Sequence, residues 1–409
     1  MLRSSRFIKA LPGIRPSTSP HHTFHAYSSR PTTSHSVRNP HVTPITKPSS
    51  PHRTLSTTPS LLTTQQDNSE DFWAVPATDT TFWNAYVSTR PNYSPEFYRI
   101  IYDHHAARTP FPHRVNDDNN PRWALAHDVG CGAGQVAAEL STKFSHVVAS
   151  DNAAAHLDVA KSRLTSQGLN EPQVSYLHSK GEDLALHHPG RRADLIAAAE
   201  AIVLMDMHAG LDSFARVLKP GGTLACWFYG GPTFTSSSPS SHGDANIKPL
   251  DRAKYYGHLL AQSHPQFTPK RMAGFKRCAD QMASWLDYLD FDPGVWVKVE
   301  RYKWNTRNGT LAFFGEEACG FPVRPERRVR EGEQVTEKEV DEDWWRNEWD
   351  IEGLKRYFEV LFPGFRKVVD AEAAEEVERC FGMLEEEMGG QGVRRGFTWP
   401  VSLVVAGRK

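Results

Sequence analysis

The short apolar segment 124–128 runs into Val129-Gly130-Cys131-Gly132-Ala133-Gly134-Gln135, and helical spacing follows. Three glycines at alternate positions let a backbone turn sharply and approach another molecule closely, because no Cβ intervenes. A helix opening at such a turn presents free N–H groups and the positive end of its dipole. Strand, glycine turn and helix in this order restrict the chain to α/β architectures. The unit then repeats. The pattern predicts a helix over 136–144, a strand over 147–150, a helix over 153–167 closed by Gly168, and a strand over 174–177. A fourth strand over 195–199, a helix over 208–218 and a sharp turn, Lys219-Pro220-Gly221-Gly222, lead into a fifth strand over 223–228. Strands alternating with helices imply a mostly parallel, doubly wound sheet covered on both faces.

Around this series the signals are weaker. Ser94-Pro95-Glu96 reads as a helix start, with Ser94 as N-cap and Pro95 at the first helical position. Residues 110–121 and 230–250, rich in turn formers, read as loops. The aromatic-rich segment from 253 to about 302 reads as helices covering something, so 253–345 is expected to form a helical cap inserted after the fifth strand. The dense mixed charge of 322–342 suggests a solvated linker or surface helix. Helices over 351–362 and 373–388 and a terminal strand from 400 complete the expected domain, 72–409.

The first 66 residues are a different polymer. They hold no Asp or Glu, six Arg, two Lys, nine Pro and 23 Ser or Thr. Without them the chain has 39 basic and 48 acidic residues, a net charge of −9, hidden by the total of −1. An Arg- and Ser-rich, acid-free start with an amphipathic stretch over 1–11 is how a mitochondrial transit peptide reads; an inert tail on a cytoplasmic protein is the alternative. Nine prolines and few large apolar residues predict disorder in the leader. An acidic body argues against nucleic acid as a partner. No apolar run reaches the roughly 18 residues of a membrane span. Five widely spaced cysteines with no Cys-x-x-Cys pair argue against a disulfide framework and a structural zinc site.

Two ligands commonly use a glycine turn of this kind, a dinucleotide and S-adenosylmethionine. The dinucleotide fingerprint Gly-x-Gly-x-x-Gly places Gln135 where its third glycine belongs. Asp128, before the turn, favours S-adenosylmethionine, whose ammonium end a carboxylate can help hold. Asp128-Val-Gly-Cys-Gly-Ala-Gly resembles motif I of the class I S-adenosylmethionine-dependent methyltransferases. Further landmarks of that family recur in order: Asp151 at the end of the second strand, Gly181-Glu182-Asp183-Leu184, Ala198-Ala199-Glu200-Ala201, and Val217-Leu-Lys-Pro-Gly-Gly-Thr-Leu224. The match spans about 82–229. A narrower resemblance is to the trans-aconitate methyltransferase-like group of fungi, through Tyr86-Val-Ser-Thr-Arg90-Pro91-Asn-Tyr93, which folds over the cofactor there, and Trp399-Pro400 before the last strand. That group's His-Trp-Phe-Asp after the fourth strand is replaced by Val203-Leu204-Met205-Asp206, so its substrate contacts do not carry over.

The resemblance implies a seven-stranded Rossmann-like sheet and methyl transfer from S-adenosylmethionine to a small molecule; a carboxylate acceptor, as in trans-aconitate methylation, needs no general base. A methyltransferase-like assembly factor that binds the cofactor with little or no turnover is the alternative. It also implies cofactor-binding roles. Asp128, Gly130, Cys131, Gly132 and Gly134 form the turn, Asp151 and Asn152 face the ribose, and Glu182 and Asp183 lie near the adenine. Glu200 and Ala201 lie under the methionyl portion, and Tyr86 lies over the cofactor. The neighbours of Cys131 favour packing over nucleophilic chemistry. His208, just past the fourth strand, is a weak candidate base for a hydroxyl acceptor, and is otherwise a helix-start histidine. His104-His105 and His187-His188 diverge on regular structure, so no metal site is expected. Trp285, Tyr288, Phe291, Trp296, Tyr302 and Trp304 either wall a substrate pocket or form the core of the cap.

Overall fold

The computed structural model describes residues 75–109, 122–188, 193–235, 269–307, 322–339, 345–361 and 371–409. The leader 1–66, the loop 110–121, most of the loop 230–250, and the parts 253–268, 308–321 and 340–344 of the expected cap lie outside them.

Two helices come first. α1 (Thr80–Thr89) starts at Asp79, whose carboxylate accepts the Phe82 N–H at 3.0 Å. α2 (Pro95–Ala106) starts as its sequence dictates, with the Ser94 hydroxyl accepting the Phe97 N–H at 3.2 Å. The glycine-turn unit follows: β1 (Trp123–Val129), α3 (Gln135–Leu140), β2 (Phe144–Asp151), α4 (Ala154–Ser166) and β3 (Val174–His178). The helix expected over 136–144 stops at Leu140, and Phe144 opens β2 instead. Phe144 is fully buried and pairs with Trp123 across the parallel ladder, so sheet packing overrides its place in the helical pattern.

Then come α5 (Leu184–His187), β4 (Ala193–Ala199), α6 (Met207–Val217) and β5 (Leu218–Tyr229). β5 begins five residues before the expected Thr223. Lys219-Pro-Gly-Gly is absorbed as an irregularity, so that Ala193 opposes Leu218 while Leu195 opposes Thr223. The rest comprises β6 (Thr233–Phe234), α7 (Pro269–Ala283), β7 (Trp296–Trp304), β8 (Gln334–Lys338), β9 (Asn347–Trp349), α8 (Ile351–Leu361), α9 (Ala371–Met388), β10 (Arg395–Thr398) and β11 (Val401–Arg408).

The main sheet has eight strands in the order β3-β2-β1-β4-β5-β11-β7-β8, where seven were expected. β1 to β5 run parallel to their neighbours, and β11 is antiparallel to β5 and β7. The extra strand, β8, lies in the charged run expected as a linker or helix and pairs parallel with β7. The described part of the cap is therefore mixed: it holds the helix α7, but Trp296–Trp304 and Gln334–Lys338 extend the sheet. Buried ion pairs attach this edge. Arg301 Nε donates to Glu333 at 2.6 Å, and Lys303 Nζ to Asp287 at 2.8 Å. A small second sheet, β6-β10-β9, is antiparallel. The core aromatics of the cap, such as Phe291 with Trp296 and Tyr302 with Trp304, pack on one another.

Strand order reverses direction between β1 and β4, and open α/β sheets bind ligands outside the carboxyl ends of their strands at such a point. Asp128, Asp151, Ala199 and Tyr229 stand at or next to those ends.

Candidate functional site

The turn after β1 uses its glycines in three ways. Gly130, at φ +69°, carries the backbone so close to Ala201 that a Cβ would stand 2.5 Å from the Ala201 Cβ. Gly132, at φ +51°, faces open space bounded only by the Tyr86 hydroxyl, 3.6 Å from where its Cβ would be. Gly134 caps α3 and packs on Leu164 and Ala160 of α4. Asp128 lies beneath the turn, where one oxygen accepts the Ala137 N–H at 2.8 Å and the other has no partner. Burial pushes its carboxyl up to about 7 against that bond.

Asp151 closes the turn from β2. Its Oδ2 accepts the Gly132 N–H at 2.9 Å; its Oδ1 accepts the Ala153 N–H at 3.0 Å and lies 3.2 Å from His156 Nδ1. Glu200, just past β4, holds a left-handed backbone at φ +55°. Its Oε1 accepts the Tyr229 N–H at 2.6 Å, which ties β4 to β5 and fixes the carboxylate in the cleft. Burial pushes it up to about 8, while the Tyr229 bond and the Arg90 charge oppose the rise. Glu182 accepts the Asp206 N–H at 3.0 Å, joining the turn after β3 to the start of α6.

α1 forms the opposite wall. Arg90 at its end is buried, with its guanidinium carbon 4.8 Å from the centre of the Tyr86 ring. Its Nη1 donates to Tyr229 at 3.0 Å and its Nη2 to the Val360 carbonyl at 3.5 Å, while Nε has no partner among the described residues. Trp83 meets His156 edge to face, with centroids 5.1 Å apart.

These elements enclose a cleft of about 470 Å³. Of the residues singled out in the sequence, Tyr86, Gly130, Gly132 and Asp151 line it, as do Asn152, Glu182, Glu200 and Ala201. Asp128, Cys131, Gly134 and Asp183 do not. The first three support the turn from below or behind, and Asp183 stands at the junction of a short helical turn with α5. Cys131 is buried and packs in the core, as its small neighbours suggested. His208 is also away from this cleft: it sits exposed in the first turn of α6, facing a different cavity. Sequence reasoning missed Trp83, Arg90, His156, Lys180, Met205 and Arg277, which also line the cleft. Arg90 could have been found through its place before Pro91 in the Tyr86–Tyr93 segment, and Met205 through its place in the Val203–Asp206 segment that follows β4; the others carry no local signal.

Comparison with known proteins agrees with this architecture. The family described as "Methyltransferase domain" matches residues 126–222, the glycine turn through the Pro-Gly-Gly turn. The chain is 35% identical over 349 residues to Methyltransferase pgmE of Aspergillus terreus, covering 85% of this chain and 99% of that protein. It is similar to Methyltransferase cfoB of Aspergillus candidus (35% over 335 residues, 81% and 95%). It is also similar to Methyltransferase ptaI of Pestalotiopsis fici (34% over 337 residues, 80% and 93%). No helix among the described residues is long and apolar enough to cross a membrane. With a glycine turn at the switch point of a mostly parallel sheet and relatives along nearly their whole length, the chain belongs to the class I S-adenosylmethionine-dependent methyltransferases.

Proposed function

We propose that this enzyme binds S-adenosylmethionine in the 470 Å³ cleft and methylates a small-molecule acceptor. The observation that carries the reading is the pairing of unsatisfied or exposed polar groups with the parts of that cofactor. Arg90 Nε, buried without a partner, suits the cofactor's carboxylate, and Glu200 across the cleft suits its ammonium group. Asp151 keeps lone pairs beyond its bonds to Gly132, Ala153 and His156, and suits the ribose hydroxyls. Lys180, Gly181 and Glu182 border the place of the adenine, and the open side of Gly132 leaves room for the chain between. When bound, the cofactor supplies a methyl group activated by its sulfonium. The protein's own part is to fix the acceptor in line and exclude water.

The remaining wall supports an acceptor that is partly apolar and anionic. Leu204, Met205 and Met282 give it apolar surface, and Arg277 gives it a cation. An acceptor carboxylate is already ionised and needs no base, which suits a cleft whose acids are engaged by backbone N–H groups. The test is calorimetric titration with S-adenosylmethionine, followed by incubation with methyl-labelled cofactor and panels of small acids and phenols. Binding with label transfer to acids is the expected result. Absence of cofactor binding refutes the reading of the cleft, and transfer to phenols alone refutes the carboxylate.

A further inference from the structure

A second cavity, of about 350 Å³, adjoins the first. One wall is a face of α7 bearing Lys276, Arg277 and Gln281, and the other is the start of α6, with Met207 and His208. Tyr288 also lines it, its hydroxyl donating to the Ile202 carbonyl at 3.0 Å. Arg277 borders both cavities. On either side of the partition stand sequence neighbours: Met205 and Met282 line the first cavity, Asp206 and Gln281 the second. Met205 and Met282, on the first cavity's side, are side chains that repack readily.

The acids of the second cavity are occupied. Asp206 caps α6 through the Ala209 N–H at 2.9 Å, Asp280 accepts the Arg324 N–H at 2.6 Å, and Glu326 takes both Nε and Nη2 of Arg328. Lys276 and Arg277 make no hydrogen bond or ion pair among the described residues. Gln281 is 8% exposed; its amide nitrogen reaches the Met205 carbonyl at 3.4 Å, and its Oε1 has no partner. A buried acceptor without a donor is unfavourable unless a ligand or water completes it. Two cations and one acceptor, unengaged among the described residues and lying between Met207 and Tyr288, describe the complement of a hydroxy acid with an apolar body.

We infer that the second cavity is the acceptor's recognition subsite: it takes an anionic group of the acceptor, apart from the one that is methylated in the first cleft, on Lys276 and Arg277, and a hydroxyl on Gln281. This deepens the proposed methyl transfer and rests on it for the identity of the ligand as acceptor. The site sets which small acids are methylated, because an uncharged analogue forgoes the charge-assisted hydrogen bonds that an anion makes to Lys276 and Arg277.

The test uses the full chain and 4-hydroxybenzoate as probe, with 4-hydroxybenzamide as its neutral counterpart, followed by ligand-observed NMR. Saturable binding of the acid, at least about tenfold tighter than the amide, is expected. Lys276→Gln with Arg277→Gln should erase that preference. Gln281→Leu should weaken the hydroxy acid relative to benzoate. Lys276→Gln alone, a change at the helix surface, should weaken the acid while leaving S-adenosylmethionine affinity within about twofold, since Lys276 does not line the first cleft. Equal affinity for acid and amide, no saturation by about 10 mM acid, or full acid affinity in the double variant overturns the inference. Absence of an acid preference in the native enzyme, with cofactor binding intact, refutes the subsite alone. Acid binding without cofactor binding refutes the methyl-transfer reading and leaves an anion site.

Discussion

The Arg90 guanidinium donates to the Tyr229 phenol at 3.0 Å, although 139 residues separate them. The bond joins the end of α1 to the carboxyl end of β5, so one wall of the cleft is fastened to the sheet by a buried cation. Arg90→Met should weaken S-adenosylmethionine at least about tenfold, because the proposed partner of the cofactor's carboxylate is gone. Tyr229→Phe should lower stability by about 1.5–3 kcal/mol, since Nη1 then stays buried without an acceptor. Calorimetry reads the first and urea unfolding the second. An Arg90→Met protein that binds the cofactor normally contradicts the assignment.

Gly130 and Gly132 of the turn should fail differently. Gly130→Ala forces a Cβ to within 2.5 Å of Ala201 from a left-handed backbone, and should destabilise by roughly 2–5 kcal/mol. Gly132→Ala also sits at positive φ, but its Cβ meets only the Tyr86 hydroxyl at 3.6 Å. It should lose about 1–2 kcal/mol of stability while weakening the cofactor at least about tenfold. Thermal melts paired with calorimetry separate the two. Equal melts, or a Gly132→Ala protein with native affinity, would count against this division.

The five parallel strands were legible because each is a short apolar run bounded by Gly, Pro or acid, the mark of a strand buried on both faces. The far edge of the sheet was not. β7 alternates Trp296, Lys298 and Glu300 with Val and Arg, and Arg301 is fully buried in it. Period two sets that arginine on the face of Val297 and Val299, where a charge argues against a buried strand. That charge is met by Glu333 and by the carbonyls of Leu286 and Leu289, each at 2.8 Å, none of which is near in sequence. β8 is mostly exposed, so it has no apolar alternation to detect. The site divides in the same way. Asp151, Glu182 and Glu200 follow strands whose ends the sequence marks, whereas His156, Met205 and Arg277 reach the cleft from helix faces and connections that only packing brings together.

That edge supplies a prediction of its own. Glu333→Ala leaves the Arg301 charge buried with only carbonyls for company, and should destabilise by about 3–5 kcal/mol. Neither residue lines the cofactor cleft, so S-adenosylmethionine affinity of the folded fraction should be unchanged. Unfolding curves with and without cofactor check both halves. A loss below about 1 kcal/mol would mean that the pair is solvated.

Glu200 should make both stability and cofactor binding depend on pH, in opposite directions. Its carboxyl titrates near 8 in the fold because burial disfavours the charge, against about 4.3 in an unfolded chain. Between those values the folded protein holds a proton that the unfolded chain has released. The contribution of Glu200 to the stability of the free enzyme therefore falls as pH rises from about 4.3 to 8, and below about 6.5 the buried His104 and His105, whose charged forms burial disfavours, act in the opposite sense. Asp128, pushed up to about 7, adds to the fall between about 4 and 7. Above 7 the remaining slope belongs to Glu200, and Glu200→Gln should remove it. The cofactor's cationic end favours the ionised carboxylate, so binding expels the proton and affinity should rise from pH 6 to 8. Calorimetry at pH 7 in two buffers of different ionisation enthalpy should detect the released proton in the native enzyme and a smaller release in Glu200→Gln. If Glu200→Gln keeps the native slope above pH 7 and the native proton release, the buried carboxylate that faces the cofactor is some other group.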